Sequence, residues 1–255
     1  MITFIPVHMN SARLPGKTLL DINGKSILQR VYENVRWAID GEVVIASPDE
    51  EIIDVCRTFG GRAVLTAQGL PSGTDAIADA LRNIDADGKD YDIAVDFQGD
   101  GVNVDPRVNL PLIEMVRRTG CDMATCCMTF KSERDVLDPN MVKIVMGLRP
   151  GETEARALYF TRAAAPYIRD PERSGLNKDY YHHIGIYVFR TDALRRVVSL
   201  PEGVLEAREK LEQLRMLENG MTIRAKLIDR LKLVDEAPAD INTPEEYEVA
   251  KRWIF

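Results

Sequence analysis

The sequence lacks long apolar runs: no segment approaches the roughly 18 uncharged apolar residues that a membrane-spanning helix requires. Its first residues, MITFIPVHMN, contain no basic stretch and no small-residue cleavage site, so they do not resemble a signal peptide. These absences disfavour membrane and secreted classes. We expect a cytoplasmic protein with no membrane partner.

Cysteine is scarce and its spacing is uninformative. The four cysteines, Cys56, Cys121, Cys126 and Cys127, form no CxxC pair, and the three histidines share no ligand spacing with them. A zinc site or a redox motif is therefore not indicated. Because Cys126 and Cys127 lie in the apolar run MATCCMTF, we expect reduced, buried thiols.

The chain has fewer basic than acidic residues. It contains 33 lysines and arginines and 40 aspartates and glutamates, which gives a net charge of -7. Non-specific nucleic-acid binding needs a positive surface that displaces counterions, so no nucleic-acid partner is expected. A site for an anionic ligand must therefore come from a local cluster of cations.

Apolar, β-branched runs alternate with helical patterns over residues 1–105. The strands are ITFIPV, EVVIAS, RAVLT and DIAVDFQGD, and the helices between them are SILQRVYENVRWA, DEEIIDVCRTFG and GTDAIADALRNI. In the first helix, Ile27, Leu28, Val31, Val35 and Ala38 recur on one face of a 3.6-residue period. Such alternation predicts a doubly wound, mostly parallel α/β sheet, which binds ligands beyond the carboxyl ends of its strands.

The second half is less regular. Strands are predicted at MATCCMTF, VKIVMG, YYHHIGIYVFR and TIRAKLID, and helices at residues 193–200 and 207–220. A final helix follows Thr243, a predicted N-cap with Pro244 at the first helical position and Glu246 three residues on. Residues 169–182 are the predicted flexible loop.

The loop after the first strand carries two cations, Arg13 and Lys17, around the turn-forming pair Pro15-Gly16. One interpretation is a cradle for a triphosphate, in which these cations stabilise charge that develops on pyrophosphate. The other is a solvated turn, and the spacing alone does not separate the two. The segment is not a Walker A loop.

The strand DIAVDF ends at Gln98, Gly99 and Asp100. A carboxylate at a strand end is suited to Mg²⁺, which completes its octahedron with water and phosphate oxygens. An aspartate that caps a turn is the alternative, but the cations of the first loop favour the metal. Both loops follow the carboxyl ends of strands, so we expect them to share one site. In PSGTDA, by contrast, spacing alone favours a simple N-cap at Ser72 over a nucleotide-binding loop at Ser72 and Gly73.

Further polar residues lie in HHIGIYVFR and LEQLR. Successive side chains of a strand point to opposite faces, so at most one of His182 and His183 points into a given site. A buried histidine with a satisfied ring is the ordinary outcome.

The segments RLPGK, DINGK, SGTD, QGD, DPNMVKIV, ALYFTR, HIGIY, LEQLR and NTPEEYE, in this order over nearly the whole chain, resemble the CMP-Kdo synthetase family, the 3-deoxy-manno-octulosonate cytidylyltransferases. The resemblance implies one cytidylyltransferase domain over residues 1–255, of the Rossmann-like nucleotidyltransferase type. Residues 1–105 would be its nucleotide-binding half, and residues 106–255 its acceptor-binding half with a smaller dimerisation element. It also implies an enzyme that transfers CMP from CTP to a small acidic acceptor, depends on Mg²⁺ and forms a homodimer.

The resemblance also assigns residues. Arg13, Lys17 and Asp100 would be catalytic, and Ser11, Arg13, Lys17, Ser72 and Gly73 would bind CTP. Gln98, Arg162, His183, Tyr187, Glu212 and Gln213 would bind the acceptor, and Asp100, Asp240 and Asn242 would hold the metal. Arg162 would pair with an acceptor carboxylate.

This chain departs from the family pattern at four positions. His8 and Ala76 replace arginines, Gly101 replaces an acid, and Asn242 replaces the aspartate of the terminal VDTPED motif. Two alternatives to Kdo transfer therefore stay open: cytidylyl transfer to a phosphonate, such as phosphonoformate, and a catalytically impaired nucleotide-binding relative. Asn242 also predicts weakened metal binding, since an amide is a poorer ligand for Mg²⁺ than a carboxylate.

Overall fold

The computed structural model describes residues 1–11, 13–170 and 180–254. Up to residue 110 the elements are β1 (Ile2–Pro6), β2 (Asp21–Ile22), β3 (Lys25–Ser26), α1 (Ile27–Ala38), β4 (Glu42–Ser47), α2 (Glu50–Thr58), β5 (Ala63–Leu65), α3 (Gly73–Ile84) and β6 (Ile93–Asp96), with short 3-10 turns at Lys17–Leu19 and Pro106–Asn109. Then come α4 (Leu110–Thr119), β7 (Met123–Thr129), α5 (Glu133–Leu137), β8 (Lys143–Met146), β9 (Glu154–Thr161), β10 (Tyr181–Arg190), α6 (Thr191–Val197), α7 (Val204–Glu209), α8 (Leu214–Glu218), β11 (Ile223–Leu227) and α9 (Pro244–Trp253).

The chain divides into two compact units. The first comprises residues 1–110 and 230–255, and the second comprises residues 111–229. The predicted α/β class is confirmed. The division differs from the predicted halves, because residues 230–255 belong to the first unit and not with the rest of 106–255.

Strands of the first unit pair in the order β5-β4-β1-β6, and every one of these pairs is parallel. The fully buried residues Ile27, Leu28, Val31 and Val35 form the inner face of α1, as their spacing predicts. Its N-cap is Ser26, whose Oγ accepts a hydrogen bond from Gln29 N at 3.1 Å. Since parallel strands end at the same edge of a sheet, the loops after β1, β4, β5 and β6 all leave from one edge.

Asn103 fastens the C-terminal segment to the first unit. Its Nδ2 donates to the carbonyl oxygens of Val234 (2.7 Å) and Ala237 (3.1 Å), and its Oδ1 accepts from Val234 N at 2.8 Å. The side chain is almost completely buried. One amide thus satisfies main-chain groups of a segment about 130 residues away in sequence.

A second attachment is the β2–β3 hairpin. Asn23 lies at its turn with φ of 50°, and its Nδ2 donates to the carbonyls of Lys251 (2.9 Å) and Ile254 (2.8 Å) at the end of α9. Buried Arg30 holds the hairpin by donating to the Ile22 carbonyl through Nε at 2.8 Å. The predicted N-cap of α9 is confirmed, because Thr243 Oγ1 accepts from Glu246 N at 3.2 Å.

The second unit is a mixed sheet. Its strands lie in the order β10-β7-β11-β9-β8; β7 and β11 are parallel, and the other neighbours are antiparallel. The prediction of a mostly parallel sheet therefore describes the first unit only. The predicted strands at MATCCMTF, VKIVMG, YYHHIGIYVFR and TIRAKLID correspond to β7, β8, β10 and β11.

The prediction of one helix over residues 207–220 is wrong. The segment contains the end of α7, a left-handed residue at Lys210 (φ 54°), and α8. Main-chain carbonyls at this break accept hydrogen bonds from the side chain of Arg162. Its Nε donates to Glu209 O at 2.7 Å and its Nη2 donates to Lys210 O at 3.3 Å. A contact distant in sequence thus overrides the helical period.

The sequence reasoning missed β9 and α4, which appear at Glu154–Thr161 and Leu110–Thr119. The segment of β9, EARALYFT, begins with residues of helical propensity, and pairing with β8 and β11 makes it a strand. Residues 171–179 of the predicted flexible loop lie outside the described residues.

Replacing Asn103 with Ala should lower the free energy of unfolding by about 2–4 kcal/mol, because buried main-chain groups of residues 234–237 would lose their partners. Urea unfolding followed by circular dichroism measures the change. Asn83→Ala is the matched control, since exposed Asn83 makes a single bond to Leu65 O and should cost less than about 1 kcal/mol. Equal losses in the two variants would contradict the role of Asn103.

Candidate active site

The loop after β1 is closed by its own main chain. The carbonyl of Met9 accepts from Ser11 N and Gly16 N, both at 3.0 Å, and Gly16 adopts a left-handed φ of 68°. A side chain at Gly16 would be strained in that conformation. The turn predicted at Pro15-Gly16 is thus a closed loop that presents Arg13 to solvent and leads into Lys17.

Lys17 joins three separate segments of the first unit. Its Nζ donates to Asp100 Oδ2 at 2.5 Å, to the Ile241 carbonyl at 2.8 Å and to Asn242 Oδ1 at 2.9 Å. These bonds use all three N–H donors of the ammonium group. The side chains of Lys17 and Asp100 are 12% and 24% exposed, so the ion pair is partly shielded from water.

Gly99 allows the loops after β1 and β6 to meet. A Cβ atom at this position would lie 2.0 Å from Val7 Cγ1 and 3.0 Å from the Pro6 carbonyl, where no side chain fits. The close approach places Gln98 and Asp100 beside the loop after β1. The expectation that these two loops share one site is supported by this contact and by the Lys17–Asp100 pair.

A cavity of about 550 Å³ opens at this edge of the first unit. Six residues predicted from sequence line it: Ser11, Lys17, Ser72, Gly73, Gln98 and Asp100. Exposed Arg13 is not among the described lining residues. The structure therefore gathers the predicted CTP-binding residues except Arg13, and brings Gln98, predicted for the acceptor, to the same cavity.

Ser72 is an N-cap, as its spacing indicated. Its Oγ accepts from Asp75 N at 3.2 Å and donates to Asp75 Oδ2 at 2.6 Å, and α3 begins at Gly73. A Cβ at Gly73 would lie 3.7 Å from Pro6 and 4.0 Å from Gln98 Nε2. The positive N-terminal end of α3 thus adjoins the cavity, a position that favours anions.

Asp49 is a residue of this cavity that the sequence reasoning missed. It occupies the N-cap position of α2 without capping that helix; instead Oδ2 accepts from Met9 N at 2.7 Å. Asp49 therefore holds the loop after β1 through the same residue, Met9, whose carbonyl closes the loop. An acid directly after strand EVVIAS was the available signal.

The oxygens around Lys17 suit a hard cation. Asp100 and Asn242 contribute side-chain oxygens and Ile241 a main-chain carbonyl, while Asp240 Oδ2 accepts from Asn242 Nδ2 at 2.6 Å. Oxygen donors of this kind are those that Mg²⁺ selects, and the ammonium of Lys17 occupies the position of a cation among them. Within the described residues no group of three His, Cys, Asp or Glu side chains has metal-binding geometry.

The other predicted acceptor-binding residues all lie in the second unit. Half-buried Arg162 donates to the carbonyls of Glu209, Pro139 and Lys210, which uses three of its five N–H groups. Its own main-chain N–H donates to Glu209 Oε2 at 2.9 Å. The predicted pairing of Arg162 with an acceptor carboxylate stays a prediction; among the described residues, two of its side-chain N–H groups have no partner.

His183, Tyr187 and Gln213 form a second cluster. The ring centroids of His183 and Tyr187 are 5.7 Å apart, and Tyr187 Oη donates to Gln213 Oε1 at 3.4 Å. Among the described residues, the buried Nε2 of Gln213 has no hydrogen-bond partner. Half-buried Glu212 precedes it in sequence. His182 packs against Phe130 instead, so the two histidines face opposite sides as expected.

Burial keeps His183 neutral. Desolvation, with a smaller effect from the charge of His182, lowers the pKa of His183 to about 3. The ring is enclosed by Phe160, at a centroid distance of 4.7 Å, and by Tyr187. At neutral pH this imidazole carries no charge, and it can donate one hydrogen bond and accept another.

Comparison with known proteins agrees with this geometry. The family model described as Cytidylyltransferase matches residues 2–223. The chain is 43% identical over 240 residues to the 3-deoxy-manno-octulosonate cytidylyltransferase of Paramagnetospirillum magneticum, covering 94% of each chain. It is 41% identical to the protein of that name from Rhodospirillum centenum, covering 93% of this chain and 89% of the relative.

A solved structure of CMP:2-keto-3-deoxy-manno-octonic acid synthetase complexed with CTP superposes with a TM-score of 0.84 at 33% identity, over 98% of this chain and 96% of that one. The chain belongs to the CMP-Kdo synthetase family of cytidylyltransferases. The resemblance drawn from nine short segments is confirmed, and so is its assignment as a CTP-dependent cytidylyltransferase.

Two of the four departures of this cytidylyltransferase from its family pattern line the cavity. His8 and Ala76 both line it, so the arginines that they replace would have faced the same space. A Cβ at Gly101 would lie 3.2 Å from both the Gln98 carbonyl and Val104 Cγ2, which leaves no easy room for an acid. The cavity therefore carries less positive charge than the family motifs predict.

The free energy of unfolding should fall on acidification, through His183. A histidine in the unfolded chain titrates near pH 6.5, whereas the folded pKa is about 3. Between these values the unfolded state binds more protons, so stability decreases as pH falls, by up to about 1.4 kcal/mol per pH unit. Urea midpoints at about pH 7 and about pH 5 measure this slope.

In this experiment His183→Gln should reduce the slope. His182 also has a pKa lowered mainly by burial and contributes in the same direction. A His183→Gln variant that keeps the full wild-type slope would show that His183 is not the titrating group.

Proposed function

We propose that this cytidylyltransferase transfers CMP from CTP to Kdo, or to a closely Kdo-like sugar acid, with release of pyrophosphate. The observation that carries the proposal is the Lys17–Asp100 pair at the edge of a 550 Å³ cavity, in a chain 40% or more identical to 3-deoxy-manno-octulosonate cytidylyltransferases. First-unit residues would bind the nucleotide, in a Rossmann-like arrangement, while Gln98 of the first unit and residues of the second unit would bind the acceptor.

The nucleotide would bind in the cavity of the first unit. Ser72 and Gly73 adjoin the N-terminal end of α3, which supports their predicted contact with CTP. Ser11, Arg13 and Lys17 belong to the loop after β1, whose cations suit phosphate oxygens. Lys17 must exchange at least one of its three protein partners to reach a phosphate, because all of its donors are used.

Magnesium is proposed at Asp100 and Asp240, with Asn242 as a weaker ligand. The oxygen donors around Lys17 fit this ion, and the ion would supply charge neutralisation on the phosphates. The protein's own task is to hold the reactants and stabilise the leaving group. Lys17 and Arg13 provide the positive charge that faces departing pyrophosphate.

The chemical step needs no covalent intermediate on the protein. A hydroxyl oxygen of the acceptor forms a bond to the α-phosphorus, the bond from that phosphorus to the bridging oxygen of pyrophosphate breaks, and the hydroxyl proton passes to solvent. Positioning is then the main contribution of the acceptor residues Gln98, Arg162, His183, Tyr187, Glu212 and Gln213. The buried Nε2 of Gln213, which has no partner in the described part of the chain, supports its role, since a ligand oxygen would satisfy it.

A homodimer and a cytoplasmic location are also proposed. The resemblance assigns dimerisation to residues 106–255, in which Leu158 and Tyr167 are 60% and 89% exposed. No helix of the described residues is long and apolar enough to cross a membrane. Light scattering coupled to gel filtration tests the dimer.

Pyrophosphate release from CTP and Mg²⁺, measured with a panel of acceptors, tests the proposed reaction. Turnover with Kdo supports it; turnover with 8-amino-Kdo alone would narrow the acceptor class. Turnover with phosphonoformate alone would show that the acceptor is a phosphonate and not a sugar acid. No turnover with any acceptor, together with intact CTP binding, would favour the alternative of a catalytically impaired nucleotide-binding relative.

Replacing Asp100 with Ala should lower kcat at least about 100-fold, because the proposed metal and Lys17 both lose their carboxylate partner. The same assay measures it, with circular dichroism to confirm folding. Asp54→Ala is the control, since Asp54 is 70% exposed on α2 and should retain full activity. Wild-type activity in the Asp100→Ala variant would show that Asp100 is not a ligand of the metal.

Replacing Asn242 with Asp should lower the Mg²⁺ concentration needed for half-maximal rate by about threefold or more, since a carboxylate is a better ligand. Without Mg²⁺ the new carboxylate would lie beside both the ammonium of Lys17 and the carboxylate of Asp240, so we expect Mg²⁺ to raise the melting temperature more in this variant than in the wild-type protein. Asn219→Asp, at an exposed site in the second unit, should show neither effect. An unchanged Mg²⁺ requirement would place Asn242 outside the metal site.

A further inference from the structure

We propose that Thr125 is a positioning residue whose hydroxyl fixes His183 in the Nε2–H tautomer, so that Nδ1 remains a hydrogen-bond acceptor for a hydroxyl group of the acceptor. The proposal rests on the proposed transfer to a Kdo-like sugar acid. It assigns a role to a residue outside the motifs that carry the family resemblance.

Thr125 and His183 lie on the same face of the second unit's sheet. Thr125 belongs to β7 and is completely buried. In the antiparallel pairing of β7 with β10, Cys127 lies opposite His183 and Thr125 lies opposite Tyr187. Residues two apart on a strand share a face, so Thr125, His183 and Tyr187 point the same way.

An irregularity in β10 brings main-chain carbonyls to Thr125. The register shifts between Ile184 and Tyr187, which leaves the residues between them without regular partners on β7. Thr125 Oγ1 lies 2.8 Å from the Ile186 carbonyl and 3.2 Å from the Ile184 carbonyl. It also lies 3.0 Å from His183 Nε2. Three groups thus surround one hydroxyl.

Counting protons assigns the tautomer. A hydroxyl group has one proton to donate, and carbonyl oxygens can only accept. When Thr125 donates to the Ile186 carbonyl, the shortest of the three contacts, its oxygen is free to accept a proton from Nε2 of His183. Both hydrogen bonds are then satisfied.

The other tautomer leaves a deficit. With the proton on Nδ1, the lone pair of Nε2 and two carbonyl oxygens would compete for the single hydroxyl proton of Thr125. At least one pair of acceptors would then face each other in a buried site, which is unfavourable. The packing of His183 against Phe160 and Tyr187 restricts the ring from turning away.

The tautomer decides what His183 offers to a ligand. Because the ring is buried and neutral, it has one N–H group, and Thr125 takes it. Nδ1 can then accept a hydrogen bond but cannot donate one. Sugar acids carry several hydroxyl groups that donate, so loss of this tautomer should weaken acceptor binding and leave CTP binding unchanged.

Nitrogen-15 NMR of the intact protein tests the tautomer directly. The sequence has three histidines, so the ring spectrum is simple, and His8→Gln and His182→Gln variants identify the remaining His183 signal. Two-bond correlations distinguish a protonated Nε2 from a protonated Nδ1. We expect protonated Nε2 in the wild-type protein; protonated Nδ1 would overturn the proposal without any change at Thr125.

Two substitutions test the consequence. Thr125→Val keeps the volume but removes the hydroxyl, and should lose the Nε2–H preference and raise the acceptor KM about tenfold while the KM for CTP stays constant. Thr125→Ser keeps the hydroxyl and should restore both readouts. Thr3→Val, at a buried threonine of β1, is the matched control in the first unit.

The outcomes separate this proposal from the proposed reaction. Kdo turnover with an unchanged acceptor KM in a folded Thr125→Val protein would overturn the role of Thr125 and leave the reaction standing. If Nε2 is protonated but no acceptor is turned over, the assigned tautomer is correct and the proposed reaction is wrong. The role of Thr125 in positioning the acceptor is then wrong as well. If Thr125→Val fails to fold, the wild-type spectrum and the Thr125→Ser kinetics decide.

Discussion

The ammonium group of Lys17 is the contact on which the first unit's site depends. It joins the loop after β1 to Asp100 after β6 and to residues 241–242 before α9. A partly buried cation needs oxygen partners, and the other two segments supply them. The same arrangement keeps two carboxylates and an amide oxygen close together. A charge that stabilises the protein fold here is also the charge that the proposed reaction would use.

In the second unit, hydrogen bonds do the corresponding work. The hydroxyl of Thr125 and the ring of His183 form a hydrogen bond at a position too buried for a charged imidazolium. Arg162 donates to the main-chain carbonyls at the break between α7 and α8. Buried polar groups of this kind specify one arrangement, because any other leaves a donor or acceptor unmatched. Shape at the acceptor residues is thus maintained by hydrogen bonding more than by charge.

Sequence reasoning predicted the first unit well because its signals are local. The apolar period of α1, the N-caps Ser72 and Thr243 and the ends of β1 and β6 all depend on neighbours in the chain. Cations at one strand end and an acid at another were enough to propose a shared site, since parallel strands end at one edge.

The other features could not be predicted, because they depend on contacts between residues that are distant in sequence. Nothing near Asp49 shows that its carboxylate leaves its own helix to bind Met9, and nothing near Lys210 shows that Arg162 will take the carbonyls of a broken helix. Likewise, Lys17 was identified by type and position, but the use of all its donors by protein oxygens depends on a segment more than 200 residues later.

The attachment of residues 230–255 to the first unit has a consequence for synthesis of the chain. Strands β1, β4, β5 and β6 leave the ribosome early and hold Lys17 near Asp100, but the third partner, Asn242, follows the entire second unit in sequence. A nascent chain therefore cannot assemble the complete oxygen cluster until the second unit has been made. The order of the chain delays a complete site until the residues proposed to hold the acceptor already exist.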